Sequence, residues 1–193
     1  MICLPDDALP DDVMANNVMP NDVTTEDVMT EPDRFTFADD GAIPNSRLPL
    51  LVYRQAVPAD AAAIERIFTA NRWPAAWRAP VFPYHHFHSD AHEVLGVASG
   101  EASVQFGGPA GEVLTVRAGD VVVVPAGVGH CRQSQSDGLV IVGAYPDNTA
   151  TRDLRRGEPS EHTEVVRNVA SVPLPPLDPV AGDSGPLLRL WGT

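Results

Sequence analysis

Lysine is absent from the 193 residues, and all 13 basic side chains are arginine. That excludes lysine Schiff-base chemistry outright. Cysteine is almost absent as well. Cys3 lies in an acidic leader and Cys131 directly follows a histidine, so the pair does not form a disulfide framework, and a reducing, cytoplasmic setting is expected. No apolar run approaches the length of a membrane span, and the amino terminus has neither the basic start nor the apolar stretch of a secretory signal. The chain reads as soluble, with no membrane partner. It has no basic patch, so nucleic acid is not expected either. Phosphate loop, dinucleotide fingerprint and Ser/His/Asp arrangement are all missing, and the sequence names no catalytic residue.

Acidic residues, by contrast, are plentiful, and the formal charge is -13. The distribution matters more than the sum. Residues 1–33 hold nine of the 26 acidic residues and no basic one, while the remainder is close to balanced. This leader carries a five-residue quasi-repeat: Asp12-Val13-Met14, Asn17-Val18-Met19, Asp22-Val23-Thr24 and Asp27-Val28-Met29. Four such units make about one coil of a solenoid, which has no neighbour against which to bury an apolar face. Acidity and scattered prolines favour a disordered leader over residues 1–33. Residues 34–193 then form one domain, the size expected for a chain of this length.

Within that domain Leu50 to Tyr53 reads as a strand. Ala59 to Asn71 reads as a helix, with Pro58 ahead of it and Ile64, Ile67 and Phe68 at helical spacing. Short strands follow at Pro83–His88, His92–Ala98, Ala102–Phe106, Glu112–Arg117, Val121–Val124, His130–Gln133 and Leu139–Tyr145. Turns rich in Gly, Pro, Asp or Ser separate them, which points to an all-β antiparallel sandwich or barrel. Residues 146–193 are proline-rich with little periodicity and are expected to wrap the barrel as a long ordered tail.

Metal-binding chemistry is concentrated at Tyr84-His85-His86-Phe87-His88-Ser89-Asp90-Ala91-His92-Glu93 and at His130. Side chains alternate along a strand, so His86 and His88 share one face while His85 and Phe87 share the other. After a short turn at Ser89–Ala91, Glu93, Leu95 and Val97 share a face, and His130 opens a later strand behind the turn Pro125–Gly129. Three imidazoles and a carboxylate can then meet inside a barrel. Such a set suits one divalent ion of Fe, Mn, Ni, Co or Zn and suits copper(I) poorly. His85 and His92 face away and read as packing or surface residues, with a supporting place behind the ligands also open to His92. Cys131 is out of phase with His130 and reads as a small buried thiol. Trp73, Trp77 and Tyr145 read as core aromatics, while Tyr84, Gln105, Arg78 and Arg132 are polar groups near the motifs, placed either on the surface or where they orient an oxygen-rich ligand.

Both motifs resemble those of the cupin superfamily. The first matches His86-x-His88-x4-Glu93-x6-Gly100, with Pro80 where the family usually has glycine. The second matches Gly119-x5-Pro125-x-Gly127-x2-His130, with Ser134 where asparagine is usual. The chain is also similar to YjlB-type bacterial cupins through Asp40-Gly41-x-Ile43-Pro44-Asn45, Leu51-Val52-Tyr53, Trp77-Arg78, Gly143-Ala144-Tyr145-Pro146, Asp178-Pro179-Val180 and Gly185-Pro186-Leu187. The resemblance implies a single jelly-roll-like barrel over 34–193 with one or two flanking helices, motifs within 84–134 and the tail at 146–193. It implies His86, His88, Glu93 and His130 as metal ligands, and it is compatible with a homodimer. Two functions fit it. One is a metal-dependent enzyme acting on a small oxygen-rich metabolite by oxygenation, isomerisation or decarboxylation. The other is a non-enzymatic cupin that binds a small ligand as a sensor or store. The enzyme is favoured, since a metal with vacant positions is costly to maintain for packing alone.

Overall fold

The run Val121–Val124, apolar at every position, forms a strand covered on both sides. In the computed structural model, which describes residues 31–192, this strand is β7, and it lies inside a six-stranded antiparallel sheet. The sheet order is β1 (Asp33–Phe35), β2 (Leu50–Tyr53), β7, β4 (Glu93–Ser99), β9 (Val140–Ala144) and β3 (Ala75–Arg78). A three-stranded sheet with the order β6 (Glu112–Arg117), β5 (Glu101–Phe106), β8 (His130–Gln135) faces it.

Strand alternation divides the apolar residues between two cores. Val122 and Val124, with Leu95 and Val97 of β4, point between the sheets and meet Val104 and Phe106 of β5. Val121 and Val123, with Val94, point to the other side, where helix α1 (Ala61–Ala70) and the short helix α3 (Pro186–Trp191) cover them. Helix α1 starts where the Asp60 carboxylate accepts a hydrogen bond from Ala63 N at 2.7 Å. Ile64 and Phe68 form its buried face, and Gly96 lets it approach β4: a Cβ there would lie 2.6 Å from Ile64 Cγ2.

Three expectations change in the structure. Pro83–His88 is extended but is not a regular strand. His86 bridges to His130 while the next residue, Phe87, bridges to Arg155, so the segment crosses between two partners instead of pairing with one. The tail contains two helices, α2 (His162–Ser171) and α3, giving three α-helices among the described residues where one or two were expected. Their periodicity is faint for a physical reason: α2 buries only Val165, and α3 is six residues long. Finally, Asp33, placed in the leader by composition, stands in β1 and pairs with Arg54 at 3.0 Å. Residues 1–30 of that leader, with the quasi-repeat and Cys3, lie outside the described residues.

The tail is fixed from beneath. Asp178, fully buried, accepts from the Tyr53 hydroxyl at 2.7 Å and from the backbone N–H groups of Val180, Ala181 and Leu187. Among the described residues no helix is long and apolar enough to cross a membrane.

Candidate metal centre

His86 and His88 lie on the extended segment before β4, Glu93 is the first residue of β4, and His130 is the first of β8. The turn before His130 depends on Gly127, whose φ of 87° lies in the left-handed region that favours glycine. Its N–H donates to the His88 carbonyl at 2.8 Å, which ties the second motif to the first.

Alternation then holds as expected. Phe87 joins a separate apolar cluster with Ile43 and Val165, while the rings of His86 and His88 face a cavity of about 300 Å³ that Glu93 and His130 also line. Among the described residues, the ligating atoms of His88, Glu93 and His130 lie within 4.8 Å of one another. His86 is not in that tight set, although its ring centroid is 4.1 Å from that of His130 and 6.2 Å from that of His88.

Backbone carbonyls orient all three imidazoles. Nδ1 of His86 donates to Tyr84 O and Nδ1 of His130 to Val128 O, each at 3.1 Å, and Nδ1 of His88 donates to Asp153 O. A carbonyl can only accept, so each Nδ1 carries a proton and each Nε2 is the nitrogen left for the cavity. Burial, reinforced by His130, lowers His86 to a pKa of about 3, leaving it neutral.

Glu93 supplies the charge. Burial alone would raise its carboxyl, but the His130 and His88 imidazoles outweigh burial and hold it well below the usual carboxylate range. For His88, burial opposes the charged form, yet the Glu93 carboxylate prevails and pushes it up to about 9. The buried Glu93 carboxylate thus favours positive charge at His88. Oε1 of Glu93 accepts from the Tyr145 hydroxyl at 2.6 Å, whereas Oε2 has no hydrogen-bond partner. His130 Nε2 is 3.3 Å from Oε2 but not aligned with it as a donor. An orphaned carboxylate oxygen among imidazole Nε2 atoms fits a divalent transition metal.

Tyr145, a core aromatic on sequence grounds, belongs to the site. Besides holding Glu93, its hydroxyl lies 3.4 Å from His88 Nε2 and accepts from Trp77 Nε1 at 3.2 Å. Its place in Gly143-Ala144-Tyr145-Pro146 was the available signal, and nothing local revealed its partner. Asp153 and Leu154, from the tail, complete the site's surroundings.

Most of the other candidates lie elsewhere, whereas Tyr84 packs edge-on against the His86 ring at 5.7 Å between centroids. Arg78 pairs with Glu65, Arg132 donates to Val81 O, Gln105 donates to Pro109 O, and Tyr84 stacks on Phe82. His92 is buried on the opposite face, where it accepts from Ala126 N and packs against Trp191. Cys131 is a free buried thiol. His85 is half-buried with Nδ1 unpartnered, and His162 pairs with Asp39. A wider depression of about 880 Å³ near Arg54 and Arg117 has its charges already paired, with Asp120 and Glu101, and holds no imidazole.

A family model described as Cupin matches residues 83–168. Of the solved structures, this chain is similar to an oxalate decarboxylase of Lactobacillus farciminis in a formate complex. That likeness has 19% identity and a TM-score of 0.36, covering 74% of this chain and 42% of the other. It is also similar to an acireductone dioxygenase from Bacillus anthracis with cadmium ion in the active center, at 17% identity and a TM-score of 0.30 over 54% of each chain. Both likenesses are too loose to bear on activity, and this chain spans less than two thirds of either structure. The similarity to the uncharacterized protein YjlB of Bacillus subtilis (strain 168) is far stronger: 43% identity over 162 residues, 83% of this chain and 97% of that one. Such identity over nearly the whole relative reaches beyond the two short motifs to the tail that walls the site, and by it the chain belongs to the cupin superfamily and, within it, to the YjlB-like proteins.

Proposed function

We propose that the protein is a metal-dependent enzyme that binds one divalent first-row transition ion through His88, Glu93 and His130, with His86 as the fourth ligand, and acts on a small metabolite that coordinates the ion through oxygen. The observation that carries this reading is the buried Glu93 Oε2, unpartnered and surrounded by imidazoles whose Nδ1 atoms are all engaged by backbone carbonyls. When bound, the ion supplies Lewis-acid or oxygen-activating chemistry. The chain's own residues prepare for it. Tyr145 fixes Oε1 so that Oε2 points freely, and the carbonyls of Tyr84, Val128 and Asp153 set the imidazole planes. The apolar wall of the cavity restricts water around the bound molecule.

The test is metal analysis of protein purified without added metal, on the unmodified chain and four variants. His88→Ala and His130→Ala should each empty the site while the fold survives on its two apolar cores. Glu93→Gln keeps the size and removes the charge, so the site should weaken. His92→Ala should keep near-normal metal, since His92 lies on the opposite face. If His92→Ala empties the site and His88→Ala does not, the ligand assignment is wrong.

A further inference from the structure

Resting on the metal reading above, we infer the class of molecule that the cavity takes: a compact body that is mostly apolar, with its oxygens gathered in one singly negative head at the His/Glu cluster. Three features of the cavity carry this.

Size comes first. A volume of about 300 Å³ corresponds to roughly ten water volumes, and so to about ten non-hydrogen atoms. Charge comes second. Apart from Glu93, no side chain lining the cavity is a carboxylate or a guanidinium. A divalent ion held by neutral imidazoles and one carboxylate retains a single positive charge, which one anionic group balances. Four arginines stand nearby, and none of them lines the cavity. Arg78 is paired with Glu65 and Arg132 with Val81 O, and the guanidinium groups of Arg152 and Arg156 stack over the rings of Tyr145 and Tyr84. A second carboxylate inside the cavity would therefore meet no guanidinium among the lining residues.

The wall is the third feature. Beyond the ligand cluster the cavity is bounded by Trp77, Val81, Phe82, Leu95 and Leu154. The indole N–H of Trp77 is already given to Tyr145, so the wall offers few donors to a hydroxyl-rich body. Phe82 and Leu154, 46% and 43% exposed, are two of the five large hydrophobic residues exposed among the described residues, and both line this one cavity. Apolar side chains held open to solvent at a cavity mark where an apolar ligand binds. The oxygen-rich metabolite expected from sequence is thereby narrowed to a molecule that is oxygen-rich at one end only.

The experiment compares mandelate with glycerate on the metal-loaded protein by titration calorimetry, with metal content measured on the same samples. The two acids share an α-hydroxycarboxylate head and differ in body, phenyl against hydroxymethyl. Mandelate should bind roughly tenfold tighter or more, as burial of the ring's apolar surface requires. Leu154→Ala and Phe82→Ala, both at exposed positions, should each weaken mandelate by about fivefold or more, with metal content unchanged and glycerate affinity falling much less. Equal affinities, a preference for glycerate, or mandelate binding indifferent to both variants overturns the inference. A protein that holds no metal after incubation with Mn(II), Co(II) or Zn(II) overturns the metal reading instead, and metal analysis reports that before either acid is added.

Discussion

Replacing Tyr145 by phenylalanine keeps the ring and removes one oxygen, so the change removes the hydrogen bond to Glu93 together with the acceptor of Trp77 Nε1. That bond is 2.6 Å long and buried, and its acceptor is ionised. Hydrogen bonds to charged groups are worth about 1.5–3 kcal/mol, and each 1.4 kcal/mol is about a factor of ten in affinity. Without the hydroxyl, Oε1 joins Oε2 as an unpartnered buried oxygen, and the carboxylate is free to turn away from the position in which it meets the imidazoles. Metal affinity in Tyr145→Phe should then fall by about 10–100-fold, the range typical for groups that orient a ligand. The assay is competition with a chelating dye, run beside the visible spectrum of the cobalt form, which reports ligand geometry that a purely packing role would not alter. Trp77→Phe, which removes a donor to the same hydroxyl at 3.2 Å, should produce a smaller change in the same direction. Unchanged or rising affinity in Tyr145→Phe would refute the reasoning, for it would show that the phenol competes with the metal for Glu93.

Three further outcomes follow from the packing. Gly143→Ala places a Cβ 2.0 Å from Trp77 Cε2, so the indole must move; stability should drop by about 1–3 kcal/mol, and the tryptophan emission spectrum should shift. Asp178→Ala strips the acceptor from the Tyr53 hydroxyl and three backbone N–H groups; a loss of about 3–5 kcal/mol, on the order of 10 °C in Tm, is expected by calorimetry. Asp153→Ala removes the partner of Ser89 N, Ser89 Oγ and Arg155 Nε. Its backbone carbonyl, which holds His88, should then drift, and metal affinity should fall by about tenfold although no ligand has been changed.

Much of the barrel was legible because it obeys short-range rules. Glu112–Arg117 and Val121–Val124 stand where composition put them, and the division of β4 into Leu95 and Val97 on one face and Val94 on the other follows from period two. The common orientation of His86 and His88 was readable for the same reason, although their segment pairs with two different partners. Helices α2 and α3 were not readable, since one buries a single side chain and the other ends before an apolar period can repeat. The partner of Tyr145 was hidden as well: its hydrogen bond joins residues 52 positions apart, and no spacing rule reaches that far.

The tail shows how distance along the chain conceals a site's construction. Composition suggested a wrapper, yet Asp153 anchors His88, Leu154 walls the cavity, and Arg155 bridges to Phe87 and pairs with Glu161 and with Glu164 of α2. Asn168 of α2 donates to Ser89 Oγ, so the helix braces the turn between the two halves of the first motif. The His/Glu cluster and the tail therefore support each other: on the metal reading proposed above, an ion that fixes His88 would also favour the docked tail. A tail that docks on the barrel edge in turn keeps His88 Nδ1 occupied and its Nε2 directed at Glu93.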